Sequence, residues 1–191
     1  MNYLRGFIPW IALAIVSAFS WQWAALVALA LSVGLLIQAR RSRIALDSQI
    51  LEISTLVYFA ALTVLAFSQP HSAIQHYTGA LSMTWLAITA FGTLAIRRPF
   101  TLGIAKRQTP KEFWNTPVFT KVNWVITTVW AIAFALTAIT LFIFDLNHLG
   151  AGISVPVQVA GFVLPALFTH TYPERVRARY ADQIPGNVSN G

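Results

Sequence analysis

Apolar positions come in long blocks along this chain, separated by short polar and basic stretches, and do not alternate with the period of a half-buried sheet. Six apolar segments stand out, roughly Phe7–Phe19, Ala24–Gln38, Leu51–Phe67, Ala80–Ile96, Val122–Phe144 and Val155–Thr169. A straight helical span needs about 20 residues, so the first two are short. Yet no charge occurs anywhere from Phe7 to Ile37. One helix of that length would be ~46 Å long, too long for a core of about 30 Å without strong tilt. Ser20-Trp21-Gln22-Trp23 interrupts the run and predicts a tight helical hairpin with Trp21 and Trp23 at the interface.

The fold class expected is all-α: a polytopic membrane helix bundle of about six short transmembrane helices, with both termini cytoplasmic. Residues 1–171 would form one transmembrane domain with a cytoplasmic loop at 97–121. Residues 172–191 would form a polar cytoplasmic tail, expected to be disordered because of "ADQIPGNVSNG" at its end. Pro9 and Pro156 fall near the starts of their segments, where a missing N–H is tolerated. Pro165 lies inside the last one and predicts a kink.

Composition supports the membrane reading. Of 191 residues, 57% are hydrophobic and 10% charged, and mean hydropathy is +0.63. A soluble domain carries about 25% charged residues, so the surplus of apolar side chains must face lipid. With no cysteine, disulfides, thiolate metal sites and cysteine nucleophiles are excluded.

The formal net charge of +7 does not point to nucleic acid, because the basic residues sit at the ends of apolar runs and form no separate patch. With both termini inside, all thirteen Lys and Arg fall on the cytoplasmic side. The connections around Trp21, Pro70-His71 and Asp145–His148 contain none. Lys and Arg bias loops towards the cytoplasm, and this distribution sets the expected orientation. A rival reading makes the first segment a cleaved signal peptide. No small-x-small site follows it, so the segment is read as retained.

Polar residues inside the segments are the first candidates for chemistry. Ser48, Glu52, Thr55 and Thr63 share one face of the third helix, and Glu52 is the one acid expected near membrane depth. Glu52, Ser48 and Thr55 form a candidate intramembrane polar site. The competing expectation places Glu52 about one turn inside the cytoplasmic interface, near Arg43 and Asp47, where it reaches water or pairs with an arginine. Ser82, Thr89 and Thr93 share a face of the fourth helix, and Asn123, Thr127 and Thr137 one of the fifth. Such residues usually bond between helices or to their own backbone. A small carrier or channel lined by these faces is the alternative reading.

His71, His76, His148 and His170 show neither the spacing nor the acidic neighbours of a metal site, and no position suits haem. No Ser-His-Asp set, phosphate-cradling glycine loop or carboxylate pair stands out. The expectation is a non-enzymatic protein without cofactor.

The stretch "RRPFTLGIAKRQTPKEFWNTPVFTK", Arg97 to Lys121, holds six of the thirteen Lys and Arg. Anchoring of span ends explains Arg97, Arg98 and Lys121, but not the Phe113-Trp114 pair. Pro110 and Pro117 break any long helix here. A short segment from Lys111 to Asn115 could then lie along the membrane surface, with Trp114 at headgroup level and Lys106 and Arg107 facing anionic lipid.

The order "FIPWIALAIVS", "ARRSR", "RRPF", "FW" and "VNWVITTVWAIAFAL" resembles the bacterial intracellular septation protein A family. Matching positions are Phe7, Pro9, Arg97, Arg98, Pro99, Trp114, Asn123 and Trp130. The resemblance implies a bacterial inner-membrane protein tied to envelope maintenance or cell division, acting through protein partners and without known catalytic residues. The candidate lipid- or partner-binding residues are therefore Arg97, Arg98, Pro99, Lys106, Arg107, Trp114 and Asn123. Expected partners are membrane lipids, other inner-membrane proteins and a second copy of the chain, whose Ala, Ser and Thr on span faces suit a homodimer.

Overall fold

A computed structural model describes residues 4–41 and 49–181. Ser48, Arg43, Asp47 and the last ten residues, each part of an expectation above, lie outside the described residues.

Seven α-helices and no strand occur among the described residues. A 3₁₀ turn, Leu4–Phe7, leads into α1, Ile8–Val16, with Pro9 in its first turn. After a turn comes α2, Trp21–Arg41, then α3, Ile50–Ser68. A second 3₁₀ turn, Ala73–Tyr77, precedes α4, Thr78–Ala95. Then follow a short α5, Phe100–Lys106, and a single 3₁₀ turn, Lys111–Phe113. Last come α6, Pro117–Leu146, and α7, Ala151–Ala181.

Five helices, counting the turn before α4 with it, are long and apolar enough to cross a membrane, and the segment Arg5–Val16 is a shorter apolar helix. The chain is a multi-pass membrane protein. Its outward faces carry apolar side chains a water-soluble surface would not tolerate together, among them Phe19, Val64, Ile88, Leu136 and Leu164.

Several boundaries differ from the expectation for local reasons. α2 continues through Arg40 and Arg41 because arginine is a good helix former and its stem can lie on apolar surface while its charge reaches water. α6 starts at Pro117, five residues early. The Thr116 side chain caps it by accepting from the Phe119 N–H at 3.3 Å, and Pro117 sits where its absent N–H is harmless. α7 runs through Pro156, Pro165 and Pro173 as one helix to Ala181. Residues 172–181 of the expected tail are therefore helical. Hydropathy bounds the last span at Thr169 but says nothing against a helix continuing into water.

The helices form two groups. α2 packs on α1 and α3, while α6 packs on α4, α5 and α7. The α1 segment joins them. Phe7 stacks on Trp130 with ring centroids 4.6 Å apart and touches Phe134 and Phe162. One turn further, Trp10 stacks on Tyr58 at 5.0 Å and touches Phe59. Phe7, Trp10 and Leu13 are all buried, and their spacing places them on one face of the helix. This short helix is thus the aromatic core of the bundle.

α1 and α2 pack on one another as the expected hairpin; Trp21, at the start of α2, is buried against protein, and its indole N–H donates to the Pro70 carbonyl at 3.0 Å. Trp23, by contrast, is exposed and meets Phe67 edge-on.

Candidate functional site

Contacts sort the molecule into two ends. At one, Gly6 faces Leu51, Glu52 meets Arg107, and Thr101 meets Asn123. At the other, Trp21 meets Pro70 and Tyr77 meets Phe142. Arg5, Arg97, Arg98, Lys106, Arg107, Lys111 and Lys121 all fall at the first end.

The basic end is more folded than a surface loop. Pro99 caps α5, and the Phe100 N–H donates to the Thr93 hydroxyl at 3.3 Å. Phe100, Thr101, Gly103, Ile104 and Ala105 are buried. Thr101 Oγ1 donates to the Asn123 carbonyl at 3.0 Å and lies 2.7 Å from Thr127 Oγ1. Since each hydroxyl has one hydrogen, Thr127 must donate to Thr101. No apolar run marks the α5 helix in the sequence. Its seven residues are too few for a span, and the signal present was local: a proline followed by apolar Phe100 and Ile104, one turn apart.

Of the surface candidates, Arg97 and Arg98 are exposed, whereas Pro99 and Asn123 are buried. Asn123 Nδ2 donates to the Phe119 carbonyl at 2.8 Å. Pro99 and Asn123 are thereby structural, shaping the α4–α5 corner and the α5–α6 contact. Within the Lys111–Asn115 segment, Lys111–Phe113 forms a single 3₁₀ turn. Trp114 folds back on its own loop, its indole N–H donating to the Thr109 carbonyl at 2.8 Å, with Lys106 Nζ 5.4 Å from its ring centroid. That is a cation–π distance.

Arg97 ends α4 in an unusual way. Its φ is 57°. The Arg98 N–H bonds the Thr93 carbonyl at 2.8 Å and the Arg97 N–H bonds that of Leu94 at 2.9 Å. This is the Schellman pattern, in which the left-handed residue is usually glycine. Placing a side chain there costs about 1–2 kcal/mol, so the position carries an arginine against its own backbone preference.

Glu52 is held in an ion pair. Its Oε1 accepts from Arg107 Nη2 at 2.8 Å, with the two side chains 9% and 29% exposed. This partner comes from the loop 55 residues away; Arg43 and Asp47 lie outside the described residues. Thr55 is occupied elsewhere, accepting from the Trp10 indole at 3.1 Å.

Several of the other polar residues pair across helices, while Thr63 Oγ1 and Gln158 Nε2 are buried without a hydrogen-bond partner. Ser54 and Thr89 lie 2.7 Å apart, and the Trp85 indole donates to Ser54 Oγ at 2.9 Å. The Tyr58 hydroxyl lies 3.0 Å from Ser82, which donates to the Thr78 carbonyl. The Trp130 indole donates to Thr169 at 2.9 Å. These contacts join helices and do not line a common path. No group of three potential metal ligands occurs among the described residues.

One concavity lies on the flank between α4 and α6. It has a volume of about 560 Å³ and is bounded by Thr84, Ile88, Phe91, Gly92, Ala95 and Ala135, among others. It opens sideways and is almost wholly apolar. A Cβ built on Gly92 would meet nothing within 4 Å.

Comparison with protein-family models, curated proteins and solved structures returned no match.

Proposed function

We propose that this chain is a non-enzymatic membrane scaffold that presents its basic end to anionic lipid headgroups and to partner proteins in the same membrane. The observation that carries the reading is the division of labour among polar residues. Several at membrane depth are engaged in bonds between helices, such as Ser54 with Thr89 and Trp130 with Thr169, whereas Arg97 and Arg98 stand exposed beside a loop braced by α5, Trp114 and the Arg107–Glu52 pair. A braced basic surface engages headgroups and partners without reordering at each encounter.

The cytoplasmic assignment of this end follows from the clustering of Lys and Arg. The bacterial inner membrane, and a role in envelope maintenance or cell division, rest on the resemblance to the septation protein A family.

Affinity purification from native membranes in mild detergent tests the proposal, with an Arg97→Gln/Arg98→Gln double variant alongside. The expected result is a reproducible set of bound proteins and anionic lipids that is depleted in the variant while insertion is unchanged. An identical set from both proteins would refute it.

A further inference from the structure

The groove between α4 and α6 and the two arginines beyond it are parts of one surface. Ala95 bounds the groove and is the last residue of α4, and Arg97 and Arg98 follow two and three residues beyond it in the turn that ends the helix. From Ala95 back to Thr84 is eleven residue steps, ~17 Å along a helix. That is close to the half-thickness of a ~30 Å hydrocarbon core, the depth filled by the chains of one leaflet.

We infer that the α4–α6 groove with Arg97 and Arg98 is a binding site for one anionic phospholipid, an acyl chain lying along Gly92 and Ile88 and the phosphate meeting the arginine pair. This deepens the reading of the basic end as a headgroup-binding surface, and rests on it.

Three observations select a phospholipid over another occupant. The groove is apolar and opens towards the lipid, so its natural content is hydrocarbon. Its cytoplasmic end runs into two exposed cations, which complement a phosphate. The third is Arg97 itself. A glycine at that left-handed position would satisfy the same backbone bonds without the steric cost, so the fold does not require an arginine. A residue kept in an unfavoured conformation is a pointer to function. A second protein helix would also find small residues here, at Gly92, Ala95 and Ala135, but would complement the arginines only if it carried an acidic residue at their level.

The test uses the full chain in mild detergent, titrated with phosphatidylglycerol or phosphatidylcholine and read by native mass spectrometry. Wild type is expected to retain one phosphatidylglycerol in preference to phosphatidylcholine. Arg97→Gly removes the charge while relieving the backbone, and is expected to weaken retention about fivefold, the worth of one cation near an anionic headgroup. Gly92→Leu fills the groove, and is expected to weaken it about tenfold, as when two buried methylenes are displaced. Gly34→Leu is the control: Gly34 is equally open but lies on α2, and binding should be unchanged.

If Gly92→Leu binds like wild type, or no more weakly than Gly34→Leu, the groove is not the site. A loss confined to Arg97→Gly would then leave the basic surface standing alone. Full retention in both Arg97→Gly and Gly92→Leu would overturn the lipid site and the headgroup reading together.

Discussion

Arg107 and Glu52, 55 residues apart, meet at 2.8 Å and tie the basic loop to the first turn of α3. The carboxylate is the more buried partner, so its guanidinium replaces much of the water it loses. The pair is still partly exposed, and exposed pairs contribute about 0.2–1 kcal/mol. A double-mutant cycle on Glu52→Gln and Arg107→Gln, read by thermal unfolding in detergent, should give a coupling of about 0.5–1 kcal/mol that shrinks at high salt. Zero coupling at low salt would show that the loop is held by other contacts.

Gly161 should be the least replaceable glycine in the transmembrane region. An added Cβ would stand 2.5 Å from Thr137 Oγ1, closer than atoms approach without displacement. Gly161→Ala should therefore push α7 off α6 and destabilise by about 1–3 kcal/mol. Thr137→Ala in the same chain should restore most of the loss by vacating the space. A lack of rescue in thermal unfolding would place the strain elsewhere.

Trp10 makes two separable contributions. Trp10→Phe keeps most of the ring and loses the bond to Thr55, at an expected cost of about 1 kcal/mol. Trp10→Ala also opens a cavity among Tyr58 and Phe59 and should cost about 3–5 kcal/mol. Equal melting temperatures for the two variants would contradict the buried aromatic core.

Topology is directly accessible because the chain has no cysteine. Single-cysteine variants at Arg98 and Lys111 should react with an impermeant thiol reagent only after the cytoplasmic face is opened. Variants at His71 and His148 should react in sealed cells. Reversed labelling would invert the orientation, and labelling of Arg98 and Lys111 from opposite sides would break the single basic end.

Much of this architecture is legible in the order of apolar runs. The charge-free stretch from Phe7 to Ile37 reads as a hairpin because one straight helix of that length overruns a bilayer, and the packing of α1 on α2 agrees. The long spans emerge for the same reason. Hydropathy fails where a helix continues outside lipid, as at Arg41 and Ala181. It fails again where an element is too short to have a period, as at α5. The site was legible only in part. Arg97 and Arg98 are readable as surface because two adjacent charges end a span. Asn123 and Pro99 look equivalent in sequence, yet both are buried, because only tertiary packing decides which side of a corner faces inward. The groove at Gly92 depends on two helices separated by the whole basic loop, and no local pattern announces it.

The α1 segment also bears on how the chain is assembled. It leaves the ribosome before its partners, and its nine helical residues are too few to hold a position in hydrocarbon alone. Thr55 and Tyr58 arrive about 50 residues later, and Trp130 and Phe162 much later still. Until α6 and α7 are inserted, the first helix has nothing to stack Phe7 against. Insertion of α6 and α7 therefore locks α1, and a truncation that removes them leaves Phe7 without its aromatic partners, exposed to membrane quality control.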